Sequence, residues 1–156
     1  MELIIPLAER LSVVVTLAFL ATRTRTIRRF FKEGVSQKLA FILIFTAIAI
    51  FGSYSGIPVN DAIANSRAVG AILAGILGGP FVGLIVGLTA GLHRYAVFGG
   101  FTAFACALST TIEGLAGGIA YKFLGEKARE WHIGLAVGVL AEVLQMLIIL
   151  LAARPY

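Results

Sequence analysis

Residues 68–92 have the sequence AVGAILAGILGGPFVGLIVGLTAGL, which contains no charged side chain. A helix that crosses the hydrocarbon core of a bilayer, about 30 Å thick, needs roughly 20 apolar residues. Residues 39–60 and 95–112 form two further uncharged runs. The chain as a whole is 59% hydrophobic and 13% charged, whereas a soluble domain carries about 25% charged residues. We therefore predict an all-α integral membrane protein.

About six transmembrane helices are predicted, in a polytopic bundle. They comprise residues 3–22, 39–54, 61–78, 80–98, 100–123 and 131–153. The stretch 68–92 is ambiguous, because it could form one long kinked helix or two helices joined by a turn. Two helices are favoured, since Gly78-Gly79-Pro80 removes a backbone donor and destabilises a helix interior. Asn60 or Asp61 would then cap the third helix.

Basic residues predict the orientation of the bundle. They cluster after the first helix (Arg23, Arg25, Arg28, Arg29, Lys32 and Lys38) and after the fifth (Lys122, Lys127 and Arg129). With two helices in 68–92 both loops share a side, which the positive-inside rule makes cytoplasmic. The N-terminus is then extracytoplasmic. Residues 1–38 form a first transmembrane helix with a basic cytoplasmic loop, and residues 39–156 form the multi-span region. The net charge of +5 reflects these loops, and no nucleic acid partner is expected.

Glycine recurs every four residues at Gly75, Gly79, Gly83, Gly87 and Gly91. Small faces allow helices to approach closely in lipid, where no hydrophobic force pulls them together. We expect a glycine groove along the fourth helix, and a second groove at Gly114 and Gly118 on the fifth. Glycine-rich close packing of helices is therefore predicted, rather than a nucleotide-binding loop, which needs a preceding strand.

Two arginines, Arg67 and Arg94, fall inside predicted spans, where insertion of an arginine costs about 2.5–3.5 kcal/mol. With antiparallel helices both would lie in the outer third of the membrane. Two cations at one depth repel each other unless an anion or a carboxylate lies between them. Because guanidinium donors match both oxygens of a carboxylate, the pair predicts a site for a small carboxylate. The alternative is that each arginine only reaches the membrane interface.

The predicted fifth helix offers a third wall for this site. Four of its residues are spaced by four, three and four positions and so share a face: Thr102, Cys106, Ser109 and Glu113. Cys106 and Ser109 lie at roughly the depth of the two arginines, and Ser109 could donate a hydrogen bond to a carbonyl or carboxylate. Asn65 and Ser66 could join the site from the third helix.

Each of these residues also has a purely structural interpretation. Cys106 would fill space, Ser109 would bond its own helix backbone, and Glu113 would pair with an arginine. Glu142 in the sixth helix would be a buried polar partner. No metal site or cofactor is expected, because His93 has no second ligand at a suitable spacing. No catalytic residue is predicted either, since no nucleophile with its base can be assembled.

Several segments keep polar residues at fixed spacings within apolar sequence. They are NDAIANSRAVG (60–70), GILGGPFVG (75–83), GLTAGLHRY (87–95), CALSTTIEGLAGG (106–118), AEVLQM (141–146) and ARPY (153–156). Together they resemble the LytS-type transmembrane receptor domain of bacterial two-component histidine kinases, over roughly residues 41–156. The resemblance implies a multi-span receptor of the bacterial inner membrane that forms a homodimer. In the family, a further hydrophobic segment, a GAF domain and a kinase follow, and the kinase phosphorylates a LytTR-type response regulator.

Some members of this family resemble receptors for external pyruvate. The resemblance then implies ligand contacts at Arg67, Arg94, Cys106 and Ser109, with Asn65, Ser66, Thr102 and Glu113 as neighbours. Pyruvate would place its carboxylate on the arginines and its keto group near Ser109 or Cys106. Because the sequence stops at Tyr156, we expect a receptor-only piece or a truncated gene product, without signalling output of its own.

Two other functions remain open at this point. The opening of the fourth helix, Gly79-Pro80 followed by Gly83 and Gly87, and the six-span size are similar to the substrate-binding membrane subunits of energy-coupling-factor vitamin transporters. A GAF and kinase region after residue 156 would favour the sensor, whereas neighbouring ATPase genes would favour the transporter. A structural membrane protein without a ligand would instead tolerate Arg67→Ala and Arg94→Ala.

Overall fold

The structure is a computed structural model that describes residues 35–59, 62–64 and 66–152, together with the isolated positions Ser12 and Thr16. In chain order its elements are α1 (Val35–Tyr54), β1 (Ile57–Val59), β2 (Ala62–Ala64), α2 (Arg67–Gly78), α3 (Pro80–Phe98), α4 (Ala103–Leu124), a 3₁₀ helix (Gly125–Arg129) and α5 (Trp131–Ala152). The predicted helix at 3–22 and most of the basic loop after it lie outside the described residues, as do Asn60, Asp61, Asn65 and Arg154.

The segment between α1 and α2 corrects the prediction of helices throughout. β1 and β2 pair antiparallel, with Ile57 opposite Ala64, Pro58 opposite Ile63 and Val59 opposite Ala62. β-branched side chains favour extended backbone, and Pro58 cannot donate a helical hydrogen bond. The predicted start of the third helix at Asp61 is therefore wrong. Arg67 is the first residue of α2 rather than a position several residues inside it.

Three segments are long and apolar enough to cross a membrane: Pro80–Phe98, Ala103–Arg129 and His132–Ala152. Two shorter apolar helices accompany them, Lys38–Tyr54 and Arg67–Gly78. The 12 residues of α2 rise only about 18 Å at about 1.5 Å each, so α2 crosses part of the hydrocarbon core. The described part therefore contains five α-helices, and the predicted first helix, residues 3–22, lies outside it.

The turn between α2 and α3 settles the ambiguity of residues 68–92. α2 ends at Gly78, Gly79 has a φ of 88°, and Pro80 opens α3. A positive φ is readily adopted only by glycine, and proline is favoured in the first turn of a helix. The prediction of two helices is confirmed. The two helices contact each other directly, because a Cβ added at Gly83 would lie 2.7 Å from the Gly75 Cα.

α1 packs antiparallel to α2 and covers the α2–α3 pair. Its residues Phe41, Phe45 and Ala49 recur every four positions, so they lie on one face, and all three are buried. They form one core cluster with Ala74, Val82, Val86 and Ala90. At the end of α1, a Cβ on Gly52 would meet the Arg67 backbone nitrogen at 2.9 Å. The end of α1 therefore lies against the beginning of α2.

The predicted glycine groove is the interface between α3 and α4. A Cβ added at Gly83 would collide with the carbonyl oxygen of Gly114. Cβ atoms at Gly87 and Gly91 would each lie 2.6 Å from a carbonyl oxygen, of Thr110 and Ala107 respectively. The residue numbers rise on α3 as they fall on α4, so the helices are antiparallel. This backbone-to-backbone contact fixes the register of α4, and with it the positions of the polar side chains that α4 carries.

α5 joins the bundle along one narrow face. Its residue Ala141 belongs to a buried cluster with Ala68, Ile72 and Ile76 of α2 and Ala128 of the 3₁₀ helix. Most of its large side chains are exposed, among them Leu140, Leu150 and Leu151. In a bilayer this exposed surface faces lipid or another transmembrane helix.

Candidate functional site

Buried polar side chains collect at one end of the bundle, where α1 and α3 end and α2 and α4 begin. This polar end comprises Ser53, Ser66, Arg67, Arg94, Thr102, Ser109 and Thr110, with Glu113 deeper in the bundle at the middle of α4, and all of them are buried. Burial of a polar group is costly unless hydrogen bonds compensate it, and burial of a charge more so. So many polar groups in one place mark the polar end as the candidate site.

Arg67 links α2 to α4 at the centre of the polar end. Its side chain is 0% exposed. Its Nε donates to Thr110 Oγ1 at 2.8 Å, and its Nη2 donates to the Cys106 carbonyl oxygen at 3.2 Å. The Cys106 side chain also interacts with the guanidinium. A position at the first residue of α2 turns Arg67 toward α4, so the arginine faces the bundle interior and does not reach out to the membrane surface.

The Cys106 carbonyl oxygen receives several donors besides Arg67. Ser109 Oγ donates to it at 3.1 Å and Thr110 Oγ1 at 2.8 Å. A carbonyl oxygen has two lone pairs, so the donors here outnumber the acceptor sites. Ser109 bonds its own helix backbone, which is the structural alternative that the sequence left open. An anion placed beside Arg67 would offer these hydroxyl groups a better acceptor.

Arg94 occupies the end of α3 and is 2% exposed. Its Nη1 donates to the Gly99 carbonyl oxygen at 2.8 Å, and its Cζ lies 5.5 Å from the centroid of the Phe98 ring. Within the described part of the chain its Nε has no hydrogen-bond partner. Arg94 and Arg67 are close enough to repel each other electrostatically. Two buried cations thus share the polar end, with a donor of Arg94 still available.

Glu113 lies one turn further along α4 than Thr110 and is 1% exposed. Neither of its carboxyl oxygens has a hydrogen-bond partner among the described residues. It interacts electrostatically with Arg67 on α2 and with Glu142 on α5. Within the same residues it forms no direct ion pair, so the predicted pairing with an arginine acts at longer range.

The structure also places the remaining predicted residues. Thr102 immediately precedes α4 and Ser66 immediately precedes α2, and both are buried at the polar end. The Thr102 hydroxyl has no partner in the described part of the chain. Asn65 lies outside the described residues. Thr110, which the sequence analysis missed, follows Cys106 by four residues, and that spacing could have placed it on the same helix face.

A groove among the described residues does not belong to this site. A groove of about 390 Å³ runs along the outer side of α3 and α4. It is lined by Leu88, Leu92, Tyr95, Phe104, Ala107, Leu108 and Thr111. Most of these side chains are exposed, and none comes from the polar end. Among the described residues no group of three His, Cys, Asp or Glu could hold a metal ion.

Comparison with known protein families finds a match to the part of the chain that contains the polar end. The family model described as "5TMR of 5TMR-LYT" matches residues 24–156. The chain belongs to this family. The match includes the whole polar end and every described helix, so the resemblance to LytS-type sensor domains is confirmed, and the 5TMR-LYT chain is a multi-pass membrane protein.

Curated relatives of this 5TMR-LYT chain are sensor proteins. Sensor histidine kinase BtsS of Escherichia coli (strain K12) is 40% identical over 162 residues, which cover 99% of this chain and 29% of the relative. Sensor protein LytS of Bacillus subtilis (strain 168) is 35% identical, with the same two coverages. Sensor histidine kinase YpdA of Escherichia coli (strain K12) is 32% identical over 97% of this chain and 27% of the relative. The chain thus spans less than a third of their length. No solved structure matches it.

Proposed function

We propose that this chain is the membrane receptor part of a bacterial sensor histidine kinase and that its polar end binds a small carboxylate. The observation that carries the proposal is the pair Arg67 and Arg94, two arginines buried to 0% and 2% exposure at one end of the bundle. Their mutual repulsion is relieved when an anion lies between them. Relatives that are named sensor proteins support a role in sensing.

The chemistry of the polar end favours a carboxylate of a few atoms. Guanidinium groups bind carboxylates through two parallel hydrogen bonds, and Arg94 has a free Nε for one of them among the described residues. Arg67 and Arg94 are both buried, which favours a small ligand. Pyruvate fits these requirements, with its carboxylate on the arginines and its keto oxygen near Ser109 or Cys106, and it is the first ligand to test.

The signalling role extends beyond this chain. The inner-membrane location, the extracytoplasmic N-terminus, a homodimer, and a kinase region that acts on a LytTR-type response regulator all belong to the proposal. A ligand shifts a conformational equilibrium only through its different affinities for the two states. The helix ends that meet at the polar end would transmit such a shift, since Arg67 belongs to α2 and bonds to α4, whereas Arg94 belongs to α3.

The alternative of a vitamin-transporter subunit has weaker support. The relatives reported above are all named sensor proteins. We therefore retain the sensor as the proposed function.

Calorimetric titration of the purified protein with pyruvate tests this function. We expect binding to the wild type and a loss of affinity of at least tenfold in Arg94→Gln, since a hydrogen bond to a charged group contributes about 1.5–3 kcal/mol. Arg67→Ala should lose binding as well. Circular dichroism of each variant establishes that it is folded.

Arg129→Ala serves as the matched control, because Arg129 lies on the 3₁₀ helix, away from the polar end, and its side chain is 30% exposed. It should bind pyruvate as the wild type does. Equal affinities of the wild type and a folded Arg94→Gln protein would exclude the proposed site. If the wild type did not bind pyruvate but bound lactate or another small carboxylate, the site would stand and only the identity of the ligand would change.

A further inference from the structure

Two carboxyl groups and an amide meet beside the arginines, at the junction of α2, α4 and α5. A Cβ added at Gly117 of α4 would collide with the Ile72 carbonyl oxygen of α2, and Thr110 accepts the Arg67 hydrogen bond. Glu113 lies between these two contacts along α4, so it sits beside the first two turns of α2. The junction thus forms on the side of the polar end that faces α5.

α5 brings its polar residues to the same level. Ala141 packs in the cluster that contains Ala68 and Ile72 of α2. Glu142 follows it directly, and Gln145, one turn further on, is 9% exposed. Glu142 interacts electrostatically with both Arg67 and Glu113. The packing of α5 and the electrostatic interactions therefore both place Glu142 near Arg67 and Glu113.

Within the described part of the chain, the charges at this junction balance when both carboxyl groups are ionised. Arg67 and Arg94 contribute two positive charges, and Glu113 and Glu142 contribute two negative ones. An additional carboxylate would then enter a buried site with no net positive charge, which costs free energy at low dielectric. A proton that enters with the carboxylate removes this cost.

We propose that Glu113 is an intramembrane proton-binding site, and that a carboxylate ligand binds to the polar end together with one proton on Glu113. The inference rests on the proposed function for the ligand, but the proton site itself does not. A buried carboxyl group whose oxygens both lack hydrogen-bond partners in the described part of the chain is stable only when neutral or paired. The ligand anion displaces the favourable interaction with Arg67, and protonation of Glu113 then avoids repulsion between two anions.

The groups that face Glu113 come from other helices. Glu113 interacts with Arg67 on α2 and Glu142 on α5, and Arg67 in turn interacts with Cys106 of α4 and Arg94 of α3. His93 does not face the junction, because its ring packs with Tyr54 and Phe98. Among these groups Glu113 is the most deeply buried carboxyl, which is why the proton is assigned to it rather than to Glu142.

Infrared spectroscopy tests the proton site without any ligand. The purified wild-type protein is titrated between about pH 5 and about pH 9, the range to which burial moves carboxyl groups. We expect a carbonyl stretching band of a protonated carboxylic acid that grows as the pH falls and is absent from Glu113→Gln. The control Glu126→Gln, whose side chain is 76% exposed, should keep the band. A wild-type spectrum without any band that Glu113→Gln removes would overturn the proton site.

Pyruvate titrations over the same pH range test the coupling. A single linked proton makes the wild-type affinity rise by up to about tenfold for each unit by which the pH falls. The affinity of Glu113→Gln, which mimics the protonated group, should be nearly independent of pH. If Glu113→Gln kept the wild-type pH dependence, the coupling would be wrong. If pyruvate failed to bind while the infrared band titrated, the proposed ligand would fail and the proton site would stand.

Discussion

α4 and α5 have the same length of 22 residues, yet the bundle uses them in opposite ways. The membrane-spanning window of α4 is 50% buried, whereas that of α5 is 6% buried. α4 places glycines against the backbone of α3 and polar side chains against Arg67. Gly134 and Gly138 of α5 have the same four-residue spacing, but among the described residues no atom beyond the neighbouring backbone of α5 lies within 4 Å of a Cβ added at either one. Small residues alone therefore do not identify a packed interface in a membrane protein.

The largest effect is expected when a glycine is replaced by leucine in the packed interface, compared with the same replacement on α5. Gly83→Leu places a large side chain where the Gly114 carbonyl oxygen lies, so α3 and α4 must separate. We expect a loss of about 3 kcal/mol or more, or no folded protein. Gly138→Leu on α5 should leave the melting temperature nearly unchanged or raise it, because leucine favours helix over glycine. Circular dichroism melts in detergent measure both; equal stabilities would mean that α3 and α4 do not pack through these glycines.

Two threonines sharpen the comparison between the inner and outer faces of the bundle. Thr110→Val removes the acceptor for Arg67 Nε and leaves a buried donor without it, which should cost about 1–3 kcal/mol. Thr89→Val provides the control, since the exposed Thr89 hydroxyl only donates to the Ile85 carbonyl oxygen within α3. It should change the unfolding free energy by no more than about 0.5 kcal/mol. Chemical unfolding of both variants measures these free energies. A larger effect from Thr89→Val than from Thr110→Val would contradict the prediction.

The smallest effect is expected in the 3₁₀ helix that connects α4 and α5. Arg129 Nη1 lies 2.6 Å from Glu126 Oε2, and its Nη2 lies 3.4 Å from the Leu77 carbonyl oxygen at the end of α2. Because the pair is solvent-exposed, Arg129→Ala should cost less than about 1 kcal/mol. A double-mutant cycle with Glu126→Ala measures the pair alone. A coupling energy above that limit would show that solvent exposure does not weaken this pair as expected.

Much of this fold could be predicted from local sequence signals. Pro80 marked the start of α3, and the apolar run from Trp131 predicted α5 to within one residue. The start of α2 was predicted wrongly, because Asp61 resembles a helix cap whereas the β-hairpin depends on pairing between two short strands. The four-residue glycine spacing predicted the α3 groove, since that spacing is a property of a single helix.

The site was predictable where it depends on helix periodicity or on the antiparallel order of α2 and α3, and not where it depends on the register between helices. The spacing of Cys106, Ser109 and Glu113 placed them on one face of α4, and all three are buried. The hydrogen bond between Arg67 and Thr110 was missed, because it requires the register between α2 and α4. That register is set by contacts such as Gly117 against Ile72, which join residues far apart in the sequence.

The shortness of α2 has a consequence for Arg67. Twelve residues cover about 18 Å of a core about 30 Å thick, so about 12 Å is left to non-helical backbone such as the β1–β2 hairpin. Non-helical backbone at that depth is tolerated only when protein shields it or water reaches it. Arg67, as the first residue of α2, therefore lies at the depth where helix gives way to the β1–β2 hairpin, and its buried guanidinium stands inside the protein rather than at the membrane surface.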